Sequence, residues 1–120
     1  MDVLIVDDNT QVRSSLARIL ERAGLHVDTA ENGLAAYAEV QTHPYRVIVL
    51  DVQMPFMDGI EFYEELRLDY PELARRVVFV TAWTGEPGIR TFLEDTGRPF
   101  LEKPFDVVDF LRLVRRIGAH

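Results

Sequence analysis

Five positions carry side chains able to act together in one reaction. Asp7 and Asp8 are adjacent acids, Asp51 and Thr81 each follow an apolar run, and Lys103 stands in Leu101-Glu102-Lys103-Pro104-Phe105. Lys103 is the only lysine in a chain with 13 basic residues, the others being arginine. Lysine presents a compact ammonium on a flexible stem, where arginine presents a broad planar fork. Carboxylates crowded together repel one another, and a divalent cation relieves that repulsion. Oxygen ligands without cysteine or histidine select a hard ion such as Mg2+, which binds one or two carboxylates together with phosphate oxygens. A lysine beside such an ion grips a small anion, and a threonine hydroxyl donates one hydrogen bond to it. Carboxylates, a hard cation, a lysine and a hydroxyl donor suit phosphoryl transfer, where charge stabilisation carries most of the catalysis. Asp51 is the candidate nucleophile, because a carboxylate can form an aspartyl phosphate.

The elements that must position these groups are legible in the apolar pattern. Val3 to Val6 and Val47 to Leu50 are continuous apolar runs, as expected of strands buried on both faces. Further strands are expected at Leu25–Thr29, Val77–Val80 and Pro99–Leu101. Helical spacing appears in Val12, Leu16, Ile19, Leu20 and Ala23, ended by Gly24. Asn32 reads as the N-cap of a helix that stops near Pro44. A third helix is expected from about Asp58 to Leu68, with Ile60, Phe62, Tyr63 and Leu66 as burial candidates. A short helix over Gly88–Asp95 follows the Trp83–Gly88 loop. Asp106 caps a last helix bearing Val107, Phe110, Leu111, Val114 and Ile117. Five strands alternating with five helices predict an α/β protein with a parallel sheet covered on both faces. Ligands in such sheets bind beyond the carboxyl ends of the strands. Asp7, Asp8, Asp51, Thr81 and Lys103 all fall there. In the flavodoxin-like order 2-1-3-4-5, strands one and three are neighbours, so Asp8 and Asp51 are expected to meet across the crevice.

Bulk properties narrow the function. The 120 residues suit one domain over 1–120. A formal net charge of -7 argues against direct nucleic-acid binding. No apolar run approaches the ~20 residues of a membrane helix, and no signal pattern appears, so no membrane association and a cytoplasmic location are expected. The absence of cysteine removes disulfides and thiolate sites from consideration.

Val6-Asp7-Asp8-Asn9, Leu50 to Gly59 (LDVQMPFMDG), Val80-Thr81-Ala82 and Leu101-Glu102-Lys103-Pro104-Phe105 together resemble the receiver domains of bacterial two-component response regulators. The resemblance covers essentially the whole chain, and its specificity lies in all four motifs occurring in order and spacing. It implies a doubly wound (βα)5 fold with Asp51 as phosphoacceptor. It implies that Asp8 ligates Mg2+, or Mn2+ in its place, directly, with Asp7 acting through water and the Gln53 backbone carbonyl completing the protein ligands. Thr81 would hydrogen-bond the phosphoryl group and Lys103 would pair with it. Phe100 occupies the switch-aromatic position, and the Lys103–Pro104 peptide is a candidate cis bond. The implied donor is phosphohistidine on a sensor histidine kinase, separate or hybrid, or on a histidine phosphotransfer domain. The implied outcome is a conformational switch in the face built from the fourth expected helix (Gly88–Asp95), the fifth strand (Pro99–Leu101) and the last helix, in a protein that is not a conventional enzyme. The output domain or target, a homodimer, and a stand-alone or hybrid-kinase setting are all left open.

Other residues carry weaker signals. Phe100 is expected to pack against the sheet edge whatever its switching role. Trp83 and the Gln53 side chain are candidates for tuning access and phosphate lifetime. Arg112, Arg115 and Arg116 read as a solvated helix face, with a partner face as the alternative. The histidines show no metal spacing. An aspartyl phosphatase would use a second acid where Gln53 stands. A flavin mononucleotide protein would need a phosphate-binding first loop, where this chain has Asp7-Asp8-Asn9-Thr10.

Overall fold

The computed structural model describes residues 2–52, 59–82 and 87–119. Its elements run β1 (Asp2–Val6), α1 (Thr10–Arg22), β2 (His26–Ala30), α2 (Gly33–Thr42), β3 (Val47–Asp51), α3 (Gly59–Asp69), α4 (Pro71–Ala74), β4 (Val77–Thr81), α5 (Pro87–Thr96), β5 (Phe100–Glu102) and α6 (Val107–Gly118). The five strands form one parallel sheet in the order β2-β1-β3-β4-β5.

Strand alternation explains the continuous apolar runs. Val47 and Val49 enter one core with α1 and α6, while Ile48 and Leu50 enter the other with α2, α3, α4 and α5. Both faces of β3 are therefore buried over Val47 to Leu50, and a polar side chain at those four positions would lack a partner. β1 and β4 divide in the same way, with Leu4, Val6, Val77 and Phe79 on the larger core and Val3, Ile5, Val78 and Val80 on the smaller.

Caps set where the helices start. Asn32 accepts from the Ala35 amide at 2.8 Å, and Asp106 accepts from Val108 at 2.7 Å, both as the sequence suggests. At α1 the cap is Asn9, whose side chain accepts from Val12 at 3.0 Å. Asp7 and Asp8 are thereby left out of the capping role that acids often take. α1 ends at Arg22 with Ala23 as its C-cap, and Gly24 just beyond has a φ of +87°, the left-handed conformation glycine favours.

The helix count differs from the expected five: six lie among the described residues. The additional one, α4, is a single turn with Pro71 in its first turn and Leu73 and Ala74 buried. Four residues are too few for a 3.6-residue periodicity to register, so only packing reveals it.

Candidate functional site

The carboxyl ends of β1, β3 and β4 and the segment after β5 bring the expected groups together. Asp7, Asp8 and Asp51 each place a carboxylate oxygen within 4.8 Å of the others. Asp7 is 1% exposed and Asp51 6%, whereas Asp8 is exposed. Asp51 lies within β3 itself, paired in register with Val80. Its position is set by the sheet and not by a loop.

Lys103 reaches into this cluster from across the sheet. Its Nζ donates to Asp7 Oδ2 at 2.9 Å and lies 3.8 Å from Asp51 Oδ2. With one positive charge beside two buried carboxylates, the ammonium offsets part of their repulsion. The remaining bonds of Asp7 hold it in place. Asp7 Oδ1 accepts from the Asn9 amide at 2.9 Å, and its backbone carbonyl accepts from Arg13 Nη1 at 2.7 Å. Lys103 is anchored through its backbone, whose N–H donates to the Thr81 carbonyl at 2.6 Å. The Lys103–Pro104 peptide is cis.

Thr81 completes the cluster differently. It is 1% exposed, and its Oγ1 is buried without a hydrogen-bond partner among the described residues. A buried hydroxyl without a partner costs about 1–3 kcal/mol, so it marks a place where an acceptor is absent. Thr81 also lines a cavity of about 270 Å3 with Arg90 and Leu93 of α5 and Phe100 and Glu102 of β5. Phe100 does not pack away as expected from its type: it is 43% exposed. A three-residue strand at the sheet edge offers one covered face, and the space beside Phe100 is open.

Sequence reasoning missed the role of Gly59. A Cβ built there would lie 2.2 Å from the Asp51 carbonyl oxygen and 2.7 Å from Val52 Cα. The start of α3 thus presses against the strand end that carries Asp51. The Asp58-Gly59 pair was the available signal, but a glycine required by close approach looks in sequence like any turn glycine. Arg13, which ties down the Asp7 carbonyl, was likewise unmarked. Gln53 and Trp83 lie outside the described residues, as does Asp58.

The oxygen-only donor set fits a hard divalent cation. Three carboxylates share one small volume with a single ammonium, leaving negative charge uncompensated. Thr81 is tied to this edge through its carbonyl, which accepts from the Lys103 amide, and its buried hydroxyl has no hydrogen-bond partner among the described residues.

A doubly wound sheet with acids, hydroxyl and lysine at its carboxyl edge defines a class of phosphoryl-handling α/β proteins. Comparison with known proteins narrows the class. A family model described as the response regulator receiver domain matches residues 3–115. The response regulator Rre1 of Synechocystis is 37% identical, and the alignment covers 99% of this chain and 52% of Rre1. The chain therefore spans about half the length of that relative. The chemotaxis protein CheY4 of Vibrio cholerae superposes with a TM-score of 0.84 at 31% identity, covering 97% of each chain. TrrA of Thermotoga maritima, solved in complex with Mg2+ and BeF, gives 0.84 at 26% identity over 97% of each chain. The chain belongs to the response regulator receiver domain family.

Proposed function

We propose that residues 1–120 act as one phosphoacceptor unit, taking a phosphoryl group onto Asp51 from a phosphohistidine. The observation that carries this reading is the place of Asp51: within a cluster of three carboxylates, 3.8 Å from Lys103 Nζ, at the carboxyl edge of the sheet. The phosphorus–nitrogen bond of the donor breaks as the bond from an Asp51 oxygen to phosphorus forms. Asp7, Asp8 and Asp51 would hold Mg2+ or Mn2+, which when bound neutralises charge on the transferred group. Lys103, now shared unequally between Asp7 and Asp51, supplies a positive charge to the phosphoryl oxygens. The Thr81 hydroxyl gains the acceptor it lacks at rest.

Thr81 and Phe100 line the same cavity. Movement of Thr81 toward the phosphoryl group reshapes that cavity, and Phe100 moves into it. This biases two states of the surface formed by α5, β5 and α6. The donor is a sensor histidine kinase or a histidine phosphotransfer domain in the cytoplasm. The domain acts on itself and turns over no separate substrate, and hydrolysis resets it.

The test is labelling of the purified domain with acetyl phosphate and Mg2+, followed on a phosphate-affinity gel. Wild type shifts, and Asp51→Asn does not. Labelling of Asp51→Asn at the wild-type level would overturn the assignment.

A further inference from the structure

Charge is divided between the two faces of the sheet. On one side, α1 and α6 carry six arginines against two acids, Glu21 and Asp109. On the other, α2, α3, α4 and α5 carry eight acids against two arginines. The pairing differs as well. Arg67 meets Glu64 at 2.9 Å, Arg75 meets Glu72 at 3.6 Å and Arg90 meets Glu94 at 3.0 Å. By contrast, the exposed Arg18, Arg22, Arg112, Arg115 and Arg116 meet no carboxylate among the described residues. Arg115 Nη2 approaches the Ala23 carbonyl at 3.4 Å, which sets the last turns of α1 and α6 side by side.

Helix dipoles account for only part of this. A cation in the last turn gains about 0.3–1 kcal/mol from the helix end. Arg22, Arg115 and Arg116 occupy last turns, but Arg18 and Arg112 lie higher. Nor does a dipole explain why none of them pairs with a carboxylate among the described residues in a chain of net charge -7.

We propose that the C-terminal halves of α1 and α6 form a docking surface for a protein partner that presents a compact acidic patch. Arg18 and Arg115 each lie about 12 Å along their helices from the helix start at the phosphoacceptor edge, and Arg22 about 18 Å. A partner can therefore sit there while that edge stays open. The proposal does not depend on the chemistry of Asp51. The size of the partner's patch follows from screening. At physiological salt the Debye length is about 8 Å, so a compact patch senses mainly these arginines. A DNA duplex or an anionic bilayer extends past them and meets the acidic remainder of the molecule.

Deca-glutamate serves as the probe, titrated into the 15N-labelled domain at low salt. Amide shifts are expected on α1 over 18–22 and on α6 over 112–116, fading at high salt. Arg18→Glu, Arg22→Glu and Arg115→Glu combined should weaken binding about tenfold or more. The corresponding glutamine variant, at exposed helix positions, should keep the fold and show an intermediate loss. Absence of shifts, shifts centred elsewhere, or tighter binding to a short DNA duplex or phosphatidylserine vesicles would each overturn the proposal.

Discussion

Replacing Gly59 with alanine tests how the fold positions the phosphoacceptor. The added methyl carbon would stand 2.2 Å from the Asp51 carbonyl oxygen, where ordinary contact begins near 3.4 Å, a shortfall of about 1.2 Å. Val52 Cα at 2.7 Å and the Val52 carbonyl oxygen at 2.9 Å close off the adjacent space. All three obstacles are backbone atoms, with no rotamer to change. Overpacking costs about 1–3 kcal/mol where side chains can adjust, so about 3 kcal/mol is expected here. For a chain of this length that is a drop in Tm of about 10 °C, seen by circular dichroism or calorimetry. If β3 yields instead, Asp51 moves by about 1 Å, and misplacement of that size can slow a positioned reaction about 100-fold. Phosphorylation by acetyl phosphate reads that second effect. Two other glycines separate crowding from backbone strain. Gly88 in the first turn of α5 has nothing within 4 Å of a built Cβ, so Gly88→Ala should be neutral or slightly stabilising. Gly24 is equally open but sits at φ +87°, so Gly24→Ala should cost about 1–2 kcal/mol from conformation alone. The reasoning fails if Gly59→Ala melts within about 2 °C of wild type, or if Gly88→Ala is as damaging as Gly59→Ala.

Other perturbations address the cluster and the base of the sheet. Lys103→Gln removes the ammonium from Asp7, and with the lysine 19% exposed the cost should be about 3 kcal/mol in denaturant unfolding; equal stability would show that Asp7 does not need the pair. Saturating Mg2+, at about 100 times its Kd, should add about 2.7 kcal/mol to wild-type stability, and Asp8→Asn should shrink that increment while leaving the metal-free protein folded; an unchanged increment would remove Asp8 from the ligand set. Tyr45 donates toward Asp28 at 2.8 Å and Glu39 at 3.1 Å, and burial, followed by these bonds, raises its pKa above the ordinary value of 10. The folded state therefore keeps a proton that the unfolded chain loses, so stability should fall as pH rises from about 10. Tyr45→Phe should flatten that alkaline decline, and an identical slope in denaturant titrations at high pH would contradict it.

Local chemistry makes much of this protein readable in its sequence. The runs at 3–6, 47–50 and 77–80 read as doubly buried strands because solvation penalises a polar group on either face. Asn32 and Asp106 are legible as caps because capping uses atoms two or three residues apart. The placement of Asp7, Asp51, Thr81 and Lys103 at one edge follows from parallel strands sharing a direction. Gln53 and Trp83 keep only their sequence-based roles. Tertiary structure alone decided the rest. Lys103 and Asp7 lie 96 residues apart, and which carboxylate the ammonium meets first depends on strand register, which no local pattern encodes. Gly59 is needed because a helix start comes to rest against a strand end. Phe100 is exposed because the edge strand is short and a cavity lies beside it. Periodicity and capping act over a few residues of chain. Approach distances, ion pairing and residual space arise only when separate segments close on one another.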